Sequence, residues 1–183
     1  VPADLVAPVL DSGTAAALGY AEEAGIPYET ALIRNHYVRR TFIEPAQSIR
    51  MFGVKVKHNA IQGILEGKRV VLVDDSIVRG TTLVKIVAML RNAGAREVHI
   101  RISSPPFVAP CHYGIDTPTK EELIAHDHTV EEIREIVGAE SLGFLSLEGL
   151  RRVAAHEFKR GICDACFSNE YPIPIDPERT LPQ

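Results

Sequence analysis

The stretch "RVVLVDDSIVRGTT" (Arg69–Thr82) constrains the fold more than any other part of this chain. Val70, Val71, Leu72 and Val73 leave no polar face, and a strand of that composition is covered on both sides, as in a parallel sheet. The run ends in two adjacent carboxylates, Asp74 and Asp75, which repel one another and continue no hydrophobic pattern. A Ser/Gly/Thr-rich turn follows at once and opens a helical pattern from about Thr82 to Ala93, with Gly94 as its stop. In an open α/β sheet the functional crevice lies outside the carboxyl ends of the strands. The acids sit where a ligand, and not the sheet, accounts for them.

Other segments repeat the alternation. The apolar run Ala3–Leu10 ends in "DSGT" and precedes a helical pattern from Thr14 to about Ala24, closed by Gly25. Ala31–Ile33 reads as a second strand, a helix is expected around Val56–Leu65, and Arg96–Ser104 is a further strand. "TKEE" at Thr119 and "TVEE" at Thr129 are capping boxes that each open a short helix. Ser141–Ser146 reads as a strand and "LEGLRRVAAHEF" as a last helix. The expected fold is α/β: a mostly parallel sheet with helices on both faces, over residues 1–158, followed by an irregular cysteine-containing tail, 159–183. The 183 residues, 45% hydrophobic and 24% charged, suit one such domain. A net charge of −4 gives no global field for nucleic acid or anionic membrane. No run approaches the roughly 18 apolar residues of a membrane span, so a cytoplasmic location with no membrane or nucleic-acid partner is expected. The start, Val-Pro-Ala-Asp without Met, reads as a fragment or a trimmed chain.

The turn carries the chemistry. Free backbone N–H groups and the dipole at a helix amino end favour an anion. Gly80 lets the backbone approach closely, and Ser76, Thr81 and Thr82 offer hydroxyls. Two carboxylates beside a phosphate cup suit a sugar phosphate: the acids accept from ribose hydroxyls or hold hydrated Mg²⁺. The bland alternative is an acidic strand end followed by an ordinary helix cap.

Those residues resemble the phosphoribosyl pyrophosphate (PRPP) signature of type I phosphoribosyltransferases, in the wording of the amidophosphoribosyltransferase family. "YVRRTFIEPAQSIR" resembles that family's flexible lid, about 36–57, and "PVLDSGTAAALGYA" its first strand and helix. "ISSPPFVAPCHYGIDTPTKEELIAH" and "VEEIREIVGAESLGFLSLEGL" extend the likeness over nearly the whole chain. Leu10, His36 and Arg39 depart from the family's usual Pro, Arg and Gly. The resemblance implies a type I phosphoribosyltransferase fold and transfer of ammonia to C1 of PRPP, giving phosphoribosylamine and pyrophosphate at the opening of purine synthesis. It implies that Ser12, Asp74 and Asp75 surround Mg²⁺ and ribose. Ser76, Arg79, Gly80, Thr81 and Thr82 then hold the 5′-phosphate, while Arg34 and Asn35 begin the pyrophosphate loop. Arg40 and the lid residues 41–50 close over PRPP and exclude water. It further implies an upstream glutaminase domain that supplies the ammonia, a homo-oligomer, and feedback by purine nucleotides.

Three cysteines remain: Cys111 and the pair in "CDAC", Cys163 and Cys166. C-x-x-C in an irregular segment reads as metal or redox, and three thiols are one short of a Cys₄ site. Zinc, or incidental thiols, are the alternatives open from the residues alone. One branch of the resembled family carries a [4Fe–4S] cluster on matching positions, with its fourth ligand upstream. The histidines take no role: His126 and His128 read as solvated, His99 as packed in a strand, and His112 as badly placed to share ligation with Cys111. "VKVKHN" (Val54–Asn59) reads as a basic, solvated helix face. Two rival functions share the acidic-pair turn: a salvage phosphoribosyltransferase acting on a nucleobase, and a non-enzymatic PRPP-sensing regulator. The first would not share the cysteines, and the second would normally carry a DNA-binding helical module, of which nothing here has the pattern.

Overall fold

A computed structural model describes residues 1–34, 58–158 and 161–175. Four strands, β1 (Leu5–Pro8), β4 (Arg69–Asp74), β5 (Glu97–Ile102) and β6 (Ser141–Phe144), form a parallel sheet in the order β1-β4-β5-β6. Leu72 pairs with Ala7 on one side and Ile100 on the other, so the apolar run lies at the sheet's centre. A lone parallel bridge from Tyr28 to Val6 prolongs the sheet beyond β1. Alternate residues of β4 enter different cores. Val71 and Val73 meet Val6, Ala17 and Ala21, the last two on α1 (Thr14–Ala24). Val70 and Leu72 meet Leu83, Ile86 and Leu90 of α3 (Thr81–Asn92), in a core shared with Ile133 and Val137 of α5 (Val130–Val137). Helices therefore lie on both faces, as the unbroken apolar run demands.

The amino ends of β1 and β4 are clasped by charge. Asp4 accepts from the Arg69 backbone N–H at 2.8 Å and from its Nη2 at 2.8 Å. The Arg69 guanidinium holds the Asp4 carboxyl well below the usual carboxylate range. On β5, buried His99 meets Ser141 Oγ at 3.0 Å and Glu97 at 3.3 Å, in keeping with a packed strand position.

Two expectations are corrected. The helix expected around Val56–Leu65 is instead a strand, β3 (His58–Ala60), followed by a single turn, α2 (Gln62–Leu65). β3 pairs antiparallel with β2 (Leu32–Arg34) in a ribbon outside the main sheet, so the second strand is not a member of the parallel set. Residues 56–57 lie outside the described residues, and over the rest a helical window merges one strand of the ribbon with a single turn. His58 and Asn59 thus belong to a strand and not to a helix face. The tail is also less irregular than expected. After α6 (Leu147–Glu157), a one-turn helix, α7 (Ala165–Ser168), contains Cys166. Asp164 fixes its start by accepting from Ser168 Oγ at 3.0 Å and from Arg151 Nε at 2.6 Å.

Both capping boxes are present. One opens a 3₁₀ turn at Lys120–Glu122, which leads into α4 (Ile124–Asp127), and the other opens α5. Among the described residues no helix is long and apolar enough to cross a membrane.

Ile100 is fully buried between β4 and β6. Ile100→Ala should destabilise the fold by about 2–5 kcal/mol, the usual range for emptying such a site, as a lower urea midpoint with unchanged slope.

Candidate active site

The carboxyl end of β4 delivers its two acids into different surroundings. Asp74 is the last strand residue and only 6% exposed, while Asp75 lies in the open. Asp74 Oδ1 accepts from the Asp75 backbone N–H at 2.9 Å. Burial, reinforced by the neighbouring Asp75 carboxyl, pushes Asp74 up to about 8, and a hydrogen bond from Ser12 opposes the shift only in part. Through Ser12 the loop after β1 therefore reaches Asp74. Gly13 makes that approach possible, since a Cβ there would come within 2.3 Å of the Val73 carbonyl oxygen. From the far side, the Ser103 backbone N–H donates to the Asp74 carbonyl at 3.0 Å.

Ser76 to Thr82 continue into the amino end of α3. Gly80 caps that helix in the left-handed region, φ 73°, and no acidic residue occupies the first turn. The first N–H groups of α3 thus carry an uncompensated positive dipole end, with the Thr81 and Thr82 hydroxyls beside them. Such an arrangement can accept an anion beside the carboxylate pair. Arg79, expected at the phosphate, makes an ion pair with Glu122, at 3.0 Å from both Nε and Nη2. Arg34, expected in the pyrophosphate loop, pairs with Asp11 of the loop after β1. Asn35, Arg40 and the lid at 36–57 lie outside the described residues.

A cleft of about 470 Å³ opens between α1 and β6, lined by Ala16, Tyr20, Arg101, Ser103 and Phe144 among others. Val73 and Ser103 bring it next to Asp74, yet neither carboxylate lines it. The cup is a surface site, not the enclosed end of this cleft.

The cysteines are drawn together by the returning tail. Val108 and Ala109 N–H donate to the Cys166 carbonyl at 2.9 and 3.1 Å, Phe107 packs edge-on against Phe167, and the Tyr171 hydroxyl donates to the Pro110 carbonyl. Cys166 is pushed up to about 11, chiefly by burial and further by the Cys111 and Cys163 thiols. Among the described residues no three His, Cys, Asp or Glu side chains stand as a ready-made metal-binding group. Of the histidines set aside, His112 packs edge-on against Tyr171, ring centroids 5.1 Å apart.

Sequence reasoning missed Asp11, Ser103 and Glu122. Glu122 was visible only as the last residue of a capping box, and nothing local ties it to Arg79, 43 positions away.

The chain belongs to the phosphoribosyl transferase domain family, whose model matches residues 3–106. Over 185 residues it is 57% identical to an amidophosphoribosyltransferase of Bacillus subtilis, covering 100% of this chain and 39% of that protein. It is 55% identical over 179 residues to the amidophosphoribosyltransferase of Archaeoglobus fulgidus, covering 97% of this chain and 39% of that one. A solved structure, glutamine PRPP amidotransferase from B. subtilis complexed with ADP and GMP, superposes with a TM-score of 0.87 at 57% identity, over 100% of this chain and 41% of that chain. The chain thus spans about two fifths of the length of these relatives.

A raised Asp74 pKa has a definite sign for stability. Between the unfolded value of 3.8 and about 8, the folded state holds a proton that the unfolded state has lost. This contribution is full below 3.8, weakens as pH rises, and is gone above about 8. Asp74→Asn, which carries no charge to bury, should therefore gain stability over the parent at pH 8 relative to pH 5. Urea midpoints at the two pH values, without Mg²⁺ or PRPP, measure the difference.

Proposed function

We propose that this chain is the PRPP-binding synthase part of an amidophosphoribosyltransferase. It joins ammonia to C1 of PRPP, yielding 5-phosphoribosylamine and pyrophosphate, the first step of purine synthesis. Glutamine is the ammonia source, hydrolysed by a glutaminase domain outside these residues. The carrying observation is the carboxylate pair at the end of β4 beside the unneutralised amino end of α3. The 57% identity to amidophosphoribosyltransferases along the whole chain favours this reading over a nucleobase salvage enzyme or a PRPP sensor.

In this reading the 5′-phosphate sits in the cup formed by the first N–H groups of α3 and the hydroxyls of Ser76, Thr81 and Thr82. Asp74 and Asp75 accept from the ribose hydroxyls. The charge of Asp75, joined by that of Asp74 where a bound cation would favour its ionised form, faces the ribose as C1 and the ring oxygen become cationic, which favours departure of the diphosphate. Arg34 stands beside the loop after β1, where a diphosphate would compete with Asp11 for it. Asn35 and Arg40 complete the pyrophosphate loop and lid, which exclude water that would otherwise hydrolyse PRPP. Asp75, Asp74 and Ser12 are oxygen donors that suit Mg²⁺: burial first, and then the neighbouring Asp75 carboxyl, raise Asp74, and a bound cation would offset both. Bound Mg²⁺ would supply charge neutralisation at the diphosphate.

Cys111, Cys163 and Cys166 hold a [4Fe–4S] cluster, with a fourth ligand outside this chain. Burial raises the Cys166 thiol, and the nearness of Cys111 and Cys163 adds to the rise, which supports a soft-metal centre. Zinc is the alternative. PRPP chemistry needs no electron transfer, so the cluster is structural or regulatory. Purine nucleotides act as feedback inhibitors in a homo-oligomer. A relative's structure with ADP and GMP supports the nucleotide part of that reading.

Val1–Gln183 supplied with Mg–PRPP should release pyrophosphate with ammonium, increasingly at alkaline pH because only NH₃ attacks, and should be inert with glutamine. Asp75→Asn should lower that release by orders of magnitude. A purine base serving as the sole effective acceptor would return the salvage reading. Separately, intact protein purified without oxygen should contain about four iron and four sulfide per chain, the stoichiometry of a [4Fe–4S] site. Stoichiometric zinc and no colour would replace the cluster.

A further inference from the structure

We propose that Glu122 is a positioning residue for the phosphate turn and acts through Arg79. The proposal rests on reading the 76–82 turn as the PRPP 5′-phosphate cup.

The turn has no strand ladder to hold it and depends on what lies against its outer side. That neighbour is the segment from Thr119 to Ile124, which meets it in three ways. The Ile124 backbone N–H donates to the Val78 carbonyl at 2.9 Å. The Ile124 side chain covers Gly80 so closely that a Cβ on the glycine would come within 2.8 Å of Ile124 Cδ1. Arg79 reaches across to Glu122 Oε1 at 3.0 Å with both Nε and Nη2. Leu123, 1% exposed, anchors the segment to the body of the domain.

Glu122 divides its two oxygens. Oε2 accepts from the Thr119 backbone N–H at 3.3 Å and closes the capping box, while Oε1 holds Arg79. A turn residue and the start of a distant helical turn are thus joined by one carboxylate. Charge alone would assign Arg79 to the phosphate. With Nε and Nη2 both committed to Glu122, its guanidinium is instead a strut along the outside of the turn. Phosphate recognition falls to the backbone N–H groups and hydroxyls, whose directions are set by φ at Gly80 and therefore by this buttress. Loss of Glu122 should misalign those donors without touching the carboxylates beside the reacting carbon.

The test is a double-mutant cycle in the intact protein, following ammonia-dependent pyrophosphate release against PRPP concentration. Glu122→Ala should raise KM for PRPP at least about tenfold while kcat changes less than about twofold, the pattern of lost binding and not of lost chemistry. Glu122→Gln, which can still accept from Arg79, should recover part of the loss. Arg79→Ala should resemble Glu122→Ala, and the double variant should be no worse than either single, because both remove one contact. Multiplying effects would mean that Glu122 and Arg79 act separately and would overturn the proposal, as would an unchanged KM in Glu122→Ala. If Glu122→Ala fails to fold, the cycle is run with Glu122→Gln. Asp75→Asn is measured in parallel. If it abolishes activity while the Glu122 variants keep the parent KM, the positioning role alone is refuted. If Asp75→Asn is also unaffected, the reading of the turn as the PRPP site fails with it.

Discussion

The structure depends on the burial of β4 between two strands and two helical layers. Its position fixes the direction of the chain at Asp74, whose side chain stays inside while Asp75 emerges. One residue of difference in depth gives two chemically unlike acids from identical side chains. The buried one is easily protonated because water cannot solvate its charge, and the exposed one is free to meet a ligand. The same strand end aims the following turn at the amino terminus of α3. Carboxylates and anion cup are therefore adjacent as a consequence of a four-residue apolar run, without further design of the surface.

Much of this was legible because it is local. The positions of β1, β4, β5 and β6, the start and stop of α3, and both capping boxes follow from runs, caps and glycines within a few residues of one another. The β2–β3 ribbon was not legible. Leu32–Arg34 is too short to announce a partner, and its partner lies beyond a long intervening segment. The helical turn at Ala165–Ser168 was hidden because its stability comes from Arg151 and from residues 107–110, not from its own four residues. At the site, the acids and the cup could be read from spacing and their family wording. The pairings Arg34–Asp11 and Arg79–Glu122 could not, because charge complementarity between distant loops leaves no periodic trace.

The match to the phosphoribosyl transferase family ends at residue 106, within the loop after β5. Beyond it, alongside α5, β6 and α6, two parts have separate attachments. The 119–124 segment leans on the phosphate turn, at the functional end of the sheet. The cysteine-bearing tail leans on residues 107–113, through Phe107, Pro110 and the aromatic contacts of Tyr171 with His112 and Tyr113. One loop leaving β5 thus connects both additions to the shared core, and Thr117 steadies it by accepting from the Cys111 backbone N–H at 2.7 Å.

That loop has a consequence for vectorial synthesis on the ribosome. Chains emerge from the amino end, at roughly 5–20 residues per second, and domains fold as their parts become available. The sheet through β5 can assemble while the remainder is still in the exit tunnel. The N–H groups of Val108 and Ala109 cannot, because the carbonyl that accepts both belongs to Cys166. Until that residue emerges, those two N–H groups lack their acceptor and the Cys111 thiol stands apart from the other two. Any metal held by all three sulfurs must therefore be loaded late, onto a domain whose sheet is already built.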